Sequence, residues 1–158
     1  FHMPDCIDMG WEGHKQFFCS LFSTTWNDAE NWARAQNSNL VIIENEAENM
    51  HLANQIQRIN AYIGLHDEDG DGNFEWVDGT SPNYTNWAPG EPSNLGQNRY
   101  VELQPNGQWR TTPGYNGKEF ICEKKVCFLC RFFWKKKVKK GWTAGNFGIF
   151  SSDSKTWV

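Results

Sequence analysis

Nowhere does the chain hold an apolar run near the roughly 20 residues that a membrane-crossing helix needs. Its nearest approach, Val126 to Trp134, is short and broken by Arg131, so a bilayer span is excluded. Catalytic signatures are missing as well. His2, His14, His51 and His66 show no metal-ligand spacing, and neither a Gly-x-Ser-x-Gly elbow nor a phosphate-cradling glycine loop occurs, so the chain reads as non-enzymatic. Positive charge is scarce through residue 125, where 8 Lys/Arg stand against 18 Asp/Glu. Such an acidic body argues against nucleic acid as a partner. The opening FHMPDCIDMG lacks a basic start and an apolar stretch and does not begin with Met, so a mature or partial chain is expected. Cysteines number only five, an odd count that leaves at least one thiol unpaired or paired between molecules.

What is present fits one ordinary domain. A chain of 158 residues with 9 Trp, 11 Phe and 4 Tyr and 22% charged residues is a globule, not a disordered segment. Cysteine in this aromatic, Asn-rich setting points to an oxidising compartment, and the sequon Asn83-Tyr84-Thr85 agrees with an extracellular, secreted glycoprotein. The charge sign reverses at the end: residues 126–158 carry 7 Lys/Arg against 1 Asp/Glu. We expect a domain over residues 1–125 and a basic, aromatic tail over 126–158 outside the fold. A functional alternative makes that tail an interfacial membrane anchor acylated at Cys127 and Cys130.

Along the chain, Gly10, Gly13 and the group Phe17-Phe18-Cys19 predict two strands around a turn. A bridge between Cys6 and Cys19 would close that hairpin. Thr25 with Asp28 forms a capping box ahead of Trp26, Ala29, Trp32 and Ala33 at helical spacing. Leu40 to Ile43 reads as a short buried strand. Asn45 with Glu48 caps a second helix to about Ile59, its inner face Ala47, Met50, Ala53 and Ile56. Strands follow at Tyr62 to Leu65, at Phe74 to Val77, at Tyr100 to Leu103, around Trp109 and at Glu119 to Cys122. Between them, residues 79–98 are rich in Asn, Pro and Gly and too long for a simple connection, which marks a binding loop. The fold class is α+β, two helices framing a mainly antiparallel sheet. Trp76, Trp87 and Trp109 read as core, and Tyr84 as the exposed loop aromatic best placed to stack on a ligand.

Taken in order, Cys6, Gly10-Trp11, Cys19, Trp26, Ala29, YIGL at 62–65, FEWVDGT at 74–80, NWAPGEPS at 86–93, VEL at 101–103, NGQW at 106–109 and FICEK at 120–124 resemble the long form of the C-type lectin domain over residues 6–125. The resemblance implies the C-type lectin-like fold, termini brought together, and calcium-dependent carbohydrate binding at the loop tip. The implied surface is Glu91, Ser93, Asn94, Asn98, Arg110 and Thr111. Its implied metal ligands are Glu91 at the sugar site and Asp67, Asp71 and Asn94 at an auxiliary site.

This chain rewrites that set. The EPN motif reads Glu91-Pro92-Ser93, a carboxylate becomes Asn98, and Trp-Asn-Asp reads Trp109-Arg110-Thr111, which sets a permanent cation beside the expected ion. Arg99 likewise stands for an acid of the auxiliary site. Cysteines of the two inner bridges are replaced by Ala33, Tyr100 and Gly114, leaving Cys122 without its usual partner. Separately, Asp67 to Asp78 matches the spacing of an EF-hand calcium loop, with Asp67, Asp69, Asp71, Gly72 and Asp78 in register, although no helical pattern leaves it. The expected function is recognition of a carbohydrate or protein ligand by the long loop, with a degenerate calcium site. Alternatives are a calcium-dependent lectin and a calcium-stabilised matrix protein.

Overall fold

The computed structural model describes residues 5–125. His2 and the expectations for the basic tail, including Cys127 and Cys130, lie outside them. The chain opens with β1 (Cys6–Glu12) and β2 (Lys15–Ser20), an antiparallel hairpin turning at Gly13 and His14. Helix α1 (Trp26–Ala35) starts where Thr25 takes the amide of Asp28 and returns its hydroxyl to that carboxylate, satisfying an otherwise orphaned donor. Its buried face is Trp26, Ala29, Glu30 and Ala33. After β3 (Asn39–Leu40), α2 (Glu46–Ile56) is capped by Asn45, whose side chain accepts from the Glu48 amide.

The remaining strands are β4 (Ala61–His66), β5 (Glu75–Trp76), β6 (Tyr100–Leu103), β7 (Trp109–Thr112) and β8 (Ile121–Lys125). They form two four-stranded antiparallel sheets, ordered β1-β2-β8-β3 and β5-β4-β6-β7. The single sheet expected from sequence is thus divided. Val41 donates to the Ile121 carbonyl and accepts from Gly64, so the predicted strand Leu40 to Ile43 shortens to β3 and a buried connection between sheets. Gly64 permits that approach, because a Cβ there would sit 2.9 Å from the Leu40 carbonyl oxygen.

Helix α2 differs from its prediction in length and face. Gln57 adopts a φ of 43°, ending the helix at Ile56, and the inward residues are Glu48, Asn49, Leu52, Ala53 and Ile56. Met50 is 43% exposed and Ala47 is exposed too. The apolar pattern misplaced this face because two of its inward residues are polar, each with a buried partner.

One is Glu48, part of a cluster around Lys15. The Lys15 ammonium is fully buried, 2.8 Å from the Ile42 carbonyl and within 3.0, 3.2 and 3.3 Å of the carboxylates of Glu44, Glu48 and Glu123. Burial opposes its charge, but Glu123, Glu44 and Glu48 together hold its pKa above the usual value. Strand β2, the start of α2 and β8 are thereby joined through one cation.

The three cysteines among the described residues are thiols, and the expected Cys6–Cys19 bridge is not closed. The hairpin pairs Cys6 with Ser20 and Ile7 with Cys19. This one-residue offset sends the two side chains to opposite faces, Cys6 against the cluster of Phe18 and Cys122 and Cys19 into the other. Cys122 is fully buried, which pushes its thiol well above the ordinary range.

Candidate functional site

The long loop is fixed to the core by aromatic packing and by two asparagines. Trp109 is fully buried, with Trp76, Tyr84 and Trp87 each edge-on to it at 5.7 to 5.8 Å. Its indole nitrogen donates to Asn49, while Asn49 and Asn86 both donate to the Gly107 carbonyl at 2.8 Å. Backbone bonds from Ala88 to the Trp109 carbonyl and from Trp109 to the Asn86 carbonyl finish the attachment. The three tryptophans serve as core or core-flanking residues, as expected. Tyr84 differs: it is half-buried, packed on Trp109 and the core cluster that contains Cys19, so it is no exposed stacking platform. Asn49 and Asn86 were missed, because a lone amide carries no periodic signal in sequence.

At the loop tip the Glu91–Pro92 peptide bond is cis. The Glu91 carboxylate accepts from the Thr111 amide at 2.9 Å and from the Thr111 hydroxyl. It also accepts from the Ser93 hydroxyl at 2.8 Å and the Ser93 amide at 3.2 Å. Three of these donors meet Oε2 and one, the Ser93 hydroxyl, meets Oε1. Burial raises the carboxyl's pKa, but the bonds from Thr111 and Ser93 outweigh it and hold Glu91 below the usual carboxylate range.

Of the expected surface, the structure brings Glu91, Ser93 and Thr111 together. Asn94 and Asn98 belong to the same loop, joined by a bond from the Asn98 amide to the Asn94 carbonyl, with Asn94 exposed. Arg110 is elsewhere. In β7 consecutive side chains take opposite faces, and Arg110 stands opposite Glu102, its Nε 3.4 Å from that carboxylate. It does not lie beside Glu91 as the adjacent sequence positions implied. Glu102, fully buried, also meets Lys118 at 2.9 Å and Asn60 at 2.9 Å.

The acidic loop is built differently. Carboxylate oxygens of Asp67, Asp69 and Asp71 lie within 4.8 Å of one another, the single such cluster among the described residues. Asp67 is buried and accepts from the amides of Gly70, Asp71 and Gly72. Across this turn lies Arg99, donating 2.7 Å to the Glu68 carbonyl and packed so closely that a Cβ on Gly70 would come within 2.9 Å of Nη2. Asp78, twelfth in the EF-hand register, accepts from Thr80 within its own turn, β5 falls inside the register, and the next element after it is strand β6, in keeping with the missing helical pattern.

Calcium takes six to eight oxygens, several of them carboxylate. The residues at the loop tip do not fit that need: one carboxylate remains, its lone pairs already face four protein donors, and its neighbours supply hydroxyls. The acidic triad groups three carboxylates, each also accepting hydrogen bonds within its own turn, with a guanidinium resident across it.

Comparison with known proteins agrees with this architecture. The Lectin C-type domain family model matches residues 22–124. Human asialoglycoprotein receptor 2 is 34% identical over 131 residues, covering 76% of this chain and 41% of that protein. Mouse C-type lectin domain family 10 member A is 28% identical, covering 77% and 42%. The chain thus spans about two-fifths of the length of these relatives. Among solved structures, the mouse scavenger receptor C-type lectin carbohydrate-recognition domain superposes with a TM-score of 0.72 at 27% identity, covering 78% of this chain and 96% of that one. A calcium-independent type II antifreeze protein shares the fold at a TM-score of 0.71 and 20% identity, covering 80% and 96%. The chain belongs to the C-type lectin domain family.

Proposed function

We propose that this chain is an extracellular recognition module that holds a glycan or protein ligand against the loop of residues 79–98 by direct contacts, without calcium at Glu91. The observation that carries the reading is the hydrogen-bonded Glu91 carboxylate: Ser93 and Thr111 supply protein donors to both of its oxygens, three at Oε2 and one at Oε1, where a bound cation would need free lone pairs. A loop tip stiffened by its own hydrogen bonds loses less conformational freedom on binding, so ligand contacts need no ion to order them. Asn94 and Asn98 offer amides at the rim, and Ser93 a hydroxyl. Binding rather than catalysis is the role in keeping with relatives named as receptors and carbohydrate-recognition domains. An extracellular setting is supported by the receptor relatives and by the exposed sequon residue Asn83.

The test is a glycan array and a receptor-ectodomain screen run with calcium and with chelator. Equal capture in both supports direct recognition. Capture that vanishes with chelator overturns it.

The acidic triad favours a second reading, in which Asp67, Asp69 and Asp71 hold calcium for stability alone. It requires a melting temperature that climbs with calcium while capture stays unchanged. Arg99→Glu sharpens the test: removing the resident cation is expected to increase the calcium-dependent rise, and an unchanged response speaks against any ion there.

A further inference from the structure

A second concave surface lies away from Glu91, between α1 and the sheet that carries the loop. Across β5, β4 and β6 the ladder places Glu75, His66 and Tyr100 directly opposite one another, so their side chains share one face. Helix α1 lays Trp26 over that row, its ring 4.9 Å from His66 at 30° and 4.8 Å from Tyr100 at 36°. The indole nitrogen is tied to the Ile63 carbonyl at 2.9 Å, which fixes the ring. Together with Trp76 and Glu68 these residues line a cleft of about 320 Å³.

Three features of this cleft point to a ligand. First, His66 is only 8% exposed, yet its Nδ1 is buried with no hydrogen-bond partner. Leaving such an atom unpaired is destabilising, and a donor reaching it from the cleft would supply the missing partner. Second, the charges along α1 are engaged with each other: Glu30 binds Arg34 and the Leu40 amide, and Arg34 reaches the Val77 carbonyl. Third, the charged groups lining the cleft are Glu30, Arg34, Glu68 and Glu75; Arg34 is paired with Glu30, and the exposed carboxylates of Glu68 and Glu75 show no ion pair among the described residues, so the lining is net acidic.

Aromatic rings beside unpaired carboxylates and a free imidazole nitrogen suit one chemical class. We infer that the cleft binds an organic cation, a primary ammonium or guanidinium group such as a lysine or arginine side chain presents. Its N–H groups donate to His66 and to the carboxylates of Glu68 and Glu75, and its charge meets the rings of Trp26 and Tyr100. The site is separate from the loop and does not depend on the function proposed for it.

The experiment follows the Trp26 indole and His66 ring signals of the isotope-labelled full chain by NMR. Probes are Nα-acetyl-lysine methylamide, Nα-acetyl-arginine methylamide, n-butylammonium and neutral Nα-acetyl-norleucine methylamide. Saturable shifts with the cations alone are expected, weakened roughly tenfold in the exposed Glu68→Gln, Glu75→Gln double variant. Tighter binding of the amino-acid probes than of n-butylammonium identifies a side chain of a protein partner. Equal binding identifies a free amine. Matching shifts from the norleucine derivative, no shift from any cation, or a double variant that binds as well as the parent would overturn the assignment.

Discussion

Lys15 and Glu91 show two ways of settling charge removed from water. Around Lys15, three carboxylates converge on one fully buried ammonium, and charge is met by opposite charge. At Glu91 a single carboxylate meets two hydroxyls and two amides, and charge is dispersed over neutral donors. The difference lies in what removal leaves behind. Without Lys15, the buried carboxylates of Glu48 and Glu123 face one another beside the half-exposed Glu44; without a Thr111 hydroxyl, Glu91 still keeps three donors. The two regions therefore predict unequal fragility, with the first a determinant of folding and the second of loop order.

The largest expected effect tests the first region. Lys15→Met should lower stability by about 3–5 kcal/mol in urea denaturation, because it strands buried carboxylates. Adding Glu48→Gln and Glu123→Gln should recover part of the loss, whereas no recovery would break the electrostatic reading. Next, Thr111→Val should cost about 1 kcal/mol and raise the Glu91 pKa toward the usual range, with ligand capture weakened more than stability. Smallest is a contrast in pH. The Glu91 pKa is lowered, so its contribution is present above the ordinary carboxylate value and is lost as pH falls through the lowered one. The Lys15 pKa is raised, so its contribution is complete below the ordinary ammonium value and is lost as pH rises through the higher one. Denaturation midpoints followed across both limits should show Thr111→Val flattening the acid limb alone.

Much of the fold was legible because its signals are local. Thr25 and Asn45 announce their helices through one reciprocal or side-chain bond apiece, and short apolar groups such as Tyr62 to Leu65 mark strands. What depends on pairing between distant segments was not legible. The division into two sheets is set where Val41 bonds both Ile121 and Gly64, and no window of sequence contains that choice. The inward face of α2 was misplaced because Glu48 and Asn49 are buried for partners some 33 and 58 residues away. At the site, motif order pointed to Glu91, Ser93 and Thr111. It could not reveal that Arg110, one residue along a strand, faces Glu102 on the far side of the sheet.

The first and last described strands, β1 and β8, run parallel with β2 between them. Cys6 lies beside Ser20 at one end of this three-strand group, and Lys125 beside Lys15 at the other. Tension applied through the two ends of the domain would therefore pull along the strands and load their hydrogen bonds together, as in a lap joint, instead of parting them one by one. The sheet that carries the loop of residues 79–98 lies outside that line of force, so tension passed between the two ends leaves the loop its shape.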